Sequence, residues 1–305
     1  MRGHTKEYLR LSNGVEMPKL GYGVWQIPDD QAADCVAQAI DVGYRLIDTA
    51  RFYENEHGVG KGIAASGVPR DQIFLVDKVW PCDFGEQRAY DAIVESLGRM
   101  GVDYFDLVFL HQAYNDVFGA WRGLERAYDE GLVRSIGVSN FNVHRLVDIC
   151  GFSRITPMVN QLETHVYWQQ ASLHRKLSEL GIAHMAWSPL VGGERDMFHD
   201  EVLMEIGAAH GKSAAQVALR YLLDQDIVAI PKSSHRARME ENLDVFDFEL
   251  TEEDRSRIRA LDEDAPVCVN HNLPETTEMM VNLTKYLMSG GTLAQLAAMQ
   301  QQSKE

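Results

Sequence analysis

Short apolar runs alternate with longer amphipathic stretches along most of the chain. The apolar runs fall at residues 20–24, 44–47, 73–79, 105–110, 133–138, 158–162, 183–187 and 227–230. Runs of this length with no polar alternation predict strands covered on both faces. Between them, apolar positions recur at helical spacing over 29–41, 56–65, 85–100, 118–130, 143–150, 171–180, 202–210, 214–224 and 236–245. Many of these helices stop at a glycine, such as Gly43, Gly67, Gly101, Gly131, Gly181 and Gly211, where a helix end can turn left-handed. Asp29 or Asp30 is placed to cap the first helix. Ahead of the repeat, residues 8–17 read as a hairpin turning at Asn13-Gly14. Residues 192–200 read as an irregular insertion, and 292–302 as a helix or a frayed tail. Eight strand–helix units in one chain predict an α/β fold, a closed (β/α)8 TIM barrel. The expectation is one domain over 1–305, with a hairpin at about 8–17 and a C-terminal extension over about 266–305. A doubly wound sheet is the alternative. No G-x-G-x-x-G follows a strand, and Gly58-Val59-Gly60-Lys61-Gly62 has the wrong spacing for one.

Composition narrows the function. Of 305 residues, 45% are hydrophobic and 24% charged, as in a soluble globular protein. The formal charge of −16 argues against nucleic acid or an anionic membrane as partner. Any anionic ligand must therefore meet a local basic site. Cys35, Cys82, Cys150 and Cys268 are scattered, without metal or redox spacing, and read as free thiols in a reducing compartment. Residues 1–10 are charged and lack the apolar core of a signal peptide, and no apolar run reaches bilayer length. A cytoplasmic location is expected. The oligomeric state is left open between a monomer and a weak dimer.

Candidate chemistry sits where strands end, the catalytic face of such barrels. The second strand runs into Asp48, with Tyr53 five residues on. The third ends at Lys78-Val79-Trp80 and the fourth at His111. Side chains alternate along a strand, so Lys78 shares the inner face with Val76 and Phe74 while Asp77 points outward. An Asp, a Lys and a His at three consecutive strand tops, with a phenol beside them, suit acid–base chemistry better than a structural ion pair. Buried pairs are poor stabilisers, and a structural one needs neither the phenol nor the imidazole.

Asp48-Thr49-Ala50 with Tyr53-Glu54-Asn55-Glu56, then Lys78 and His111, resembles the aldo-keto reductase superfamily. Leu20-Gly21-Tyr22-Gly23-Val24-Trp25, Gly137-Val138-Ser139-Asn140-Phe141, Asn160-Gln161, Ile230-Pro231-Lys232-Ser233 and Arg238-Met239-Glu240-Glu241-Asn242 are similar to the family's further signatures. The resemblance is strongest to bacterial 2,5-diketo-D-gluconate reductases and to aldose reductases. It implies an NADP-dependent oxidoreductase that reduces aldehydes or ketones, small or sugar-derived, to alcohols with NADPH. By that likeness Tyr53 is the general acid, supported by Asp48, Lys78 and His111. Ser139, Asn140 and Gln161 would hold the nicotinamide amide, and Trp187, where the family has tyrosine, would stack on its ring. Val24, Trp25, Ser188 and Leu190 are also expected against the cofactor. Lys232, Ser233 and Arg238 match the 2′-phosphate site, and Glu241 and Asn242 the adenine site. Trp25, Trp80 and His111 would bound the substrate.

The proposed acid can be weighed on its chemistry. Tyrosine ionises near pH 10, and lowering that by two units takes about 2.7 kcal/mol. A cation ~4 Å away supplies about 4 kcal/mol at an effective dielectric of ~20, before desolvation. Lys78 is thus expected to depress the Tyr53 pKa. After His111 the family often has Trp-Pro, whereas this chain has Gln112-Ala113, which removes one aromatic wall. His271-Asn272 is placed to overhang the pocket. Two other classes compete: a Schiff-base aldolase using Lys78, and a non-catalytic NADPH-binding sensor. Metal-dependent hydrolysis is disfavoured, since neither H-x-H nor H-E-x-x-H occurs.

Overall fold

The computed structural model describes residues 7–302, and for residues 297 and 299–302 the backbone alone. An antiparallel hairpin, β1 (Tyr8–Arg10) and β2 (Glu16–Pro18), turns at Asn13 and Gly14, whose φ of 88° favours glycine. Strand β3 (Tyr22–Gly23) then opens the repeat and leads into α1 (Asp29–Val42). It is followed by β4 (Leu46–Asp48), α2 (Glu56–Ala65), β5 (Phe74–Val79) and α3 (Glu86–Met100). Next come β6 (Leu107–Leu110), α4 (Val117–Asp129), β7 (Ile136–Ser139) and α5 (Val143–Phe152). Strand β8 (Val159–Glu163), α6 (Ala171–Glu179) and β9 (Ala183–Trp187) continue the alternation. Two helices, α7 (Glu201–His210) and α8 (Ala214–Leu223), precede β10 (Ile227–Ala229). The chain ends with α9 (Arg236–Leu243), α10 (Glu252–Arg259), α11 (Pro274–Met288) and α12 (Leu293–Gln302).

All neighbouring strands from β3 to β10 pair in parallel, in chain order. The ring closes where Leu20 bridges Ala229: Gly21 N–H donates to Ala229 O at 2.8 Å and Ala229 N–H to Lys19 O at 2.9 Å. The eight predicted strands are therefore a (β/α)8 barrel; most strands start a residue or more inside their apolar run, while β4, β7 and β8 end one residue beyond it and β9 matches it. The barrel interior and the inner faces of its helices form one apolar core, with Leu46, Leu75, Leu107, Phe109 and Val138 fully buried. A smaller cluster, including Tyr167, Val191, Met197, Val217 and Ile258, lies beneath α7, α8 and α10.

Three expectations shift. Asp29 does not cap α1; it lies in the first turn, and its Oδ1 accepts the Gly58 amide of α2 at 2.6 Å. The insertion at 192–200 contains two short 3-10 turns, Val191–Gly193 and Met197–His199. Helices α10 and α11 were not anticipated. The first starts from a capping box in which Thr251 and Asp254 exchange bonds, yet only Ile258 of its residues is buried, so its apolar stripe is faint. The tail at 292–302 forms α12. Among the described residues no helix is long and apolar enough to cross a membrane.

Candidate active site

The site is built where strands β4, β5 and β6 end on one rim. The register sets Asp48 beside Val76 and Lys78 beside Phe109, so the polar residues that follow emerge on a common face. After β4 the chain makes a tight turn over Arg51–Tyr53, closed by Glu54 in the left-handed region at φ 55°. Asn55 holds this turn down: its Nδ2 donates to Val24 O and Ile27 O, and its Oδ1 accepts the Thr49 hydroxyl at 2.8 Å. The Tyr53 phenol is thereby carried back over the end of β5.

There Lys78, fully buried, spends all three ammonium protons. Nζ donates to Asp48 Oδ1 at 2.5 Å, to Thr49 O at 2.8 Å and to the Tyr53 oxygen at 3.3 Å. Asp48 Oδ2 accepts from Gln161 Nε2 at 2.8 Å. Burial pulls the Lys78 pKa down, but Asp48 and Tyr53 outweigh it and the net direction is up, so the ammonium stays charged. The Tyr53 phenol corrects the expectation from sequence. Its pKa is raised, not lowered: burial dominates, Lys78 pulls the other way, and Asp48 pushes up. Desolvation of the buried phenol and the negative charge of Asp48 together exceed the pull of Lys78. The Tyr53 phenol therefore keeps its proton at neutral pH.

His111 completes the group. Burial first, then the charge of Lys78 and the nearby His271, hold its pKa well below that of an ordinary histidine. Its Nδ1 is buried without a partner. A proton on Nε2 avoids leaving an N–H there without an acceptor, so the neutral ring presents Nε2–H as donor. The Tyr53 and His111 rings meet edge-on at 5.7 Å.

Asp48, Tyr53, His111 and Gln161 line a cavity of about 780 Å³. Trp25, Phe52 and Trp80 form a stacked aromatic wall, Phe52 lying 3.9 Å from Trp80 between centroids. Trp80 meets His111 edge-on at 5.0 Å. The same cavity runs past Ser139, Asn140, Gln161, Trp187, Ser188 and Leu190 to Lys232, Ser233, Arg238, Glu241 and Asn242. Asn140, in the left-handed region at φ 61°, donates to His111 O and accepts the Trp187 indole N–H at 2.9 Å. Of the residues anticipated against the cofactor or substrate, Val24 alone lies outside the cavity lining, buried in the core. Lys78 also stays behind the wall, reaching the cavity only through Tyr53. Lys232 and Arg238 are exposed, and neither has an ion-pair partner among the described residues. Among those residues no cluster of His, Cys, Asp or Glu could hold a metal.

Several lining residues had no sequence signal. Phe52 is a lone aromatic in a turn, and Gln112 was read only as a departure. Met280 reaches the cavity from α11, which packs on the turn Pro81–Asp83 and sets Met288 Sδ 3.7 Å from Asn115. Glu163, two residues beyond Gln161 on the same face of β8, is buried beneath the segment that contributes Cys268, Val269 and His271 to the lining. His271-Asn272 was expected over the pocket, and His271 is there.

A barrel with an Asp–Lys–Tyr–His group at the strand ends and a long cleft beside it defines an oxidoreductase that reduces carbonyls. The comparisons with known proteins agree: the model of the Aldo/keto reductase family matches residues 11–263, and the chain belongs to that family. It is 45% identical over 267 residues to a glyoxal reductase of Bacillus subtilis, covering 87% of this chain and 96% of the relative. It is 38% identical over 258 residues to a methylglyoxal reductase of Escherichia coli, covering 84% and 93%. Among solved structures, an aldo-keto reductase of Bombyx mori in complex with NADP superposes with a TM-score of 0.82 at 32% identity, over 89% of this chain and 96% of that one.

Proposed function

We propose that the protein is an NADPH-dependent reductase of small aldehydes and ketones, α-oxoaldehydes foremost, with Tyr53 as the proton donor. The observation that carries this reading is the contact of a protonated, buried phenol with a charged lysine at the wall of the cavity. When bound, NADPH supplies a hydride to the carbonyl carbon. Negative charge then grows on the carbonyl oxygen, and two donors converge on that oxygen: the Tyr53 hydroxyl and the neutral His111 Nε2–H. Tyr53 gives up its proton, and the phenolate that remains is held by the ammonium of Lys78. Asp48 fixes that ammonium, and Gln161 fixes Asp48. The aromatic wall of Trp25, Phe52 and Trp80 keeps water from the reacting oxygen.

The cleft fits the cofactor. Lys232 and Arg238, exposed and unpaired in a chain of net charge −16, suit the 2′-phosphate; Ser233, Glu241 and Asn242 lie with them, and Ser139, Asn140, Gln161 and Trp187 would receive the nicotinamide end. A small dicarbonyl as substrate is supported by the names of the relatives, a glyoxal and a methylglyoxal reductase. Schiff-base chemistry on Lys78 is disfavoured, because its amine is fully buried, charged and bonded three times. Tyr53→Phe tests the proposal. It removes one oxygen, so kcat for methylglyoxal should fall at least ~10²-fold, while NADPH binding, followed by protein fluorescence, should hold. A near-parental kcat in single-turnover measurements would remove Tyr53 from the mechanism.

A further inference from the structure

One buried carboxylate on the rim of the barrel is not used by the chemistry above. Glu163 ends β8, is 2% exposed, and among the described residues has no lysine or arginine against it. Four neutral donors satisfy it instead. Oε1 accepts the backbone N–H of Val267 at 2.7 Å and of Cys268 at 2.8 Å, and Oε2 accepts that of Val269 at 3.0 Å. The fourth donor is His165, whose Nε2 lies 3.1 Å from Oε1. Its tautomer follows from its other nitrogen: the Trp168 backbone N–H donates to His165 Nδ1 at 3.1 Å, so the ring proton sits on Nε2 and points at the carboxylate. Burial pushes the Glu163 pKa up, but these bonds overcome it and the group stays ionised.

Three consecutive amides are thus threaded onto one carboxylate. They belong to a segment that enters no strand or helix, and among the described residues these three amides make no bond to another backbone group, although Val267 also packs against the smaller apolar cluster. The segment is also a wall of the site: Cys268, Val269 and, two residues on, His271 line the cavity. From there Cys268 Sγ donates to Val191 O at 3.5 Å, tying the wall to the turn after β9 that borders the same cavity.

We propose that Glu163 is a positioning residue for substrate selection. Without touching substrate, it sets where the 267–271 wall stands relative to Tyr53 and His111. The inference rests on the reductase reading. A carboxylate is needed because all four incoming groups are donors; a carboxamide of the same shape turns an N–H2 toward at least one of them, leaving two donors opposed in a buried place.

The test is Glu163→Gln, with Val269→Pro as a second variant that deletes the one bond to Oε2 and leaves β8 untouched. Amide hydrogen exchange should quicken at least ~10-fold over 267–269 in Glu163→Gln and over 267–268 in Val269→Pro. KM for methylglyoxal should rise roughly tenfold with kcat within threefold, and the preference for methylglyoxal over a bulky aldehyde such as 4-nitrobenzaldehyde should shrink. Slow exchange at 267 and 268 in the variants, or a lower Tm with KM and preference unchanged, would overturn the proposal. If Glu163→Gln does not fold, Val269→Pro decides on the same measurements. A parent protein without reductase activity would refute the reductase reading, whereas the exchange data report on the clasp itself.

Discussion

If the proposed cofactor site is right, replacing Arg238 by alanine should affect NADPH and NADH differently, and the size of the effect can be worked out in advance. NADPH differs from NADH by one phosphate of nearly two negative charges. The protein carries −16, so at long range its field opposes that group. Attraction must be local, and Lys232 and Arg238 line the cavity unpaired. A charge-assisted bond contributes about 1.5–3 kcal/mol, and both side chains are exposed, so screening by water favours the lower end. Two such contacts correspond to a preference for NADPH of roughly 10²-fold. Losing Arg238 should therefore weaken NADPH binding about 10-fold and leave NADH within twofold. Salt adds an independent axis, because the screening length shrinks from about 10 Å at 0.1 M to about 3 Å at 1 M. The NADPH constant should rise with salt more steeply than the NADH constant, and the difference should narrow in Arg238→Ala. Titration of both cofactors against tryptophan fluorescence at two salt concentrations measures all of this. Equal constants in the parent protein would show that Lys232 and Arg238 do not read the phosphate.

Other outcomes follow from the same structure. Because the Tyr53 pKa is raised above 10.0, carbonyl reduction should stay level from neutral pH to about pH 10 while alcohol oxidation, which needs the phenolate, climbs with pH; a reduction rate that falls near pH 8 would contradict this. Asp77 is buried with Oδ1 unpartnered, and burial with the nearby Glu56 holds its pKa well above the ordinary value, so ionisation in the folded state is penalised as pH rises above ~4. Asp77→Asn should therefore raise Tm by roughly 2–4 °C at pH 8, the shift of ~1 kcal/mol in a large domain, with the gain vanishing near pH 4; melting curves at both pH values decide it. Ending the chain after Asn272 removes Met280 from the cavity and should leave the melting transition in place while changing KM for bulky aldehydes several-fold, and an unchanged ranking across a substrate panel would show that α11 does not shape the site.

Much of this architecture was legible from periodicity. Continuous apolar runs and glycine stops located the eight strands because both faces of each are covered. The alternation along β5 separated inward Lys78 from outward Asp77, which packs toward Glu56 of α2. What escaped depended on sums or on single long-range contacts. The direction of the Tyr53 shift needed desolvation and Asp48 added to Lys78, and neither magnitude is written in residue order. Glu163 looked like any strand-end carboxylate, since its three amides come from about a hundred residues later. Helix α10 carried its capping box openly as Thr251 and Asp254, but a stripe with one buried residue gave periodicity little to find.

The seam between β10 and β3 has a consequence for how the chain assembles. The proposed proton donors come from the stretch between Asp48 and His111, and the two cations without an ion pair among the described residues from just beyond β10. They become neighbours only when Leu20 meets Ala229. A ligand touching both banks binds the sealed ring alone, so its affinity is spent on ring closure as well as on recognition. At a hundred times its dissociation constant such a ligand adds about 2.7 kcal/mol against opening. The nucleotide would then act as a rivet, and two fragments cut within the far side of the ring should rejoin in its presence more readily than without it.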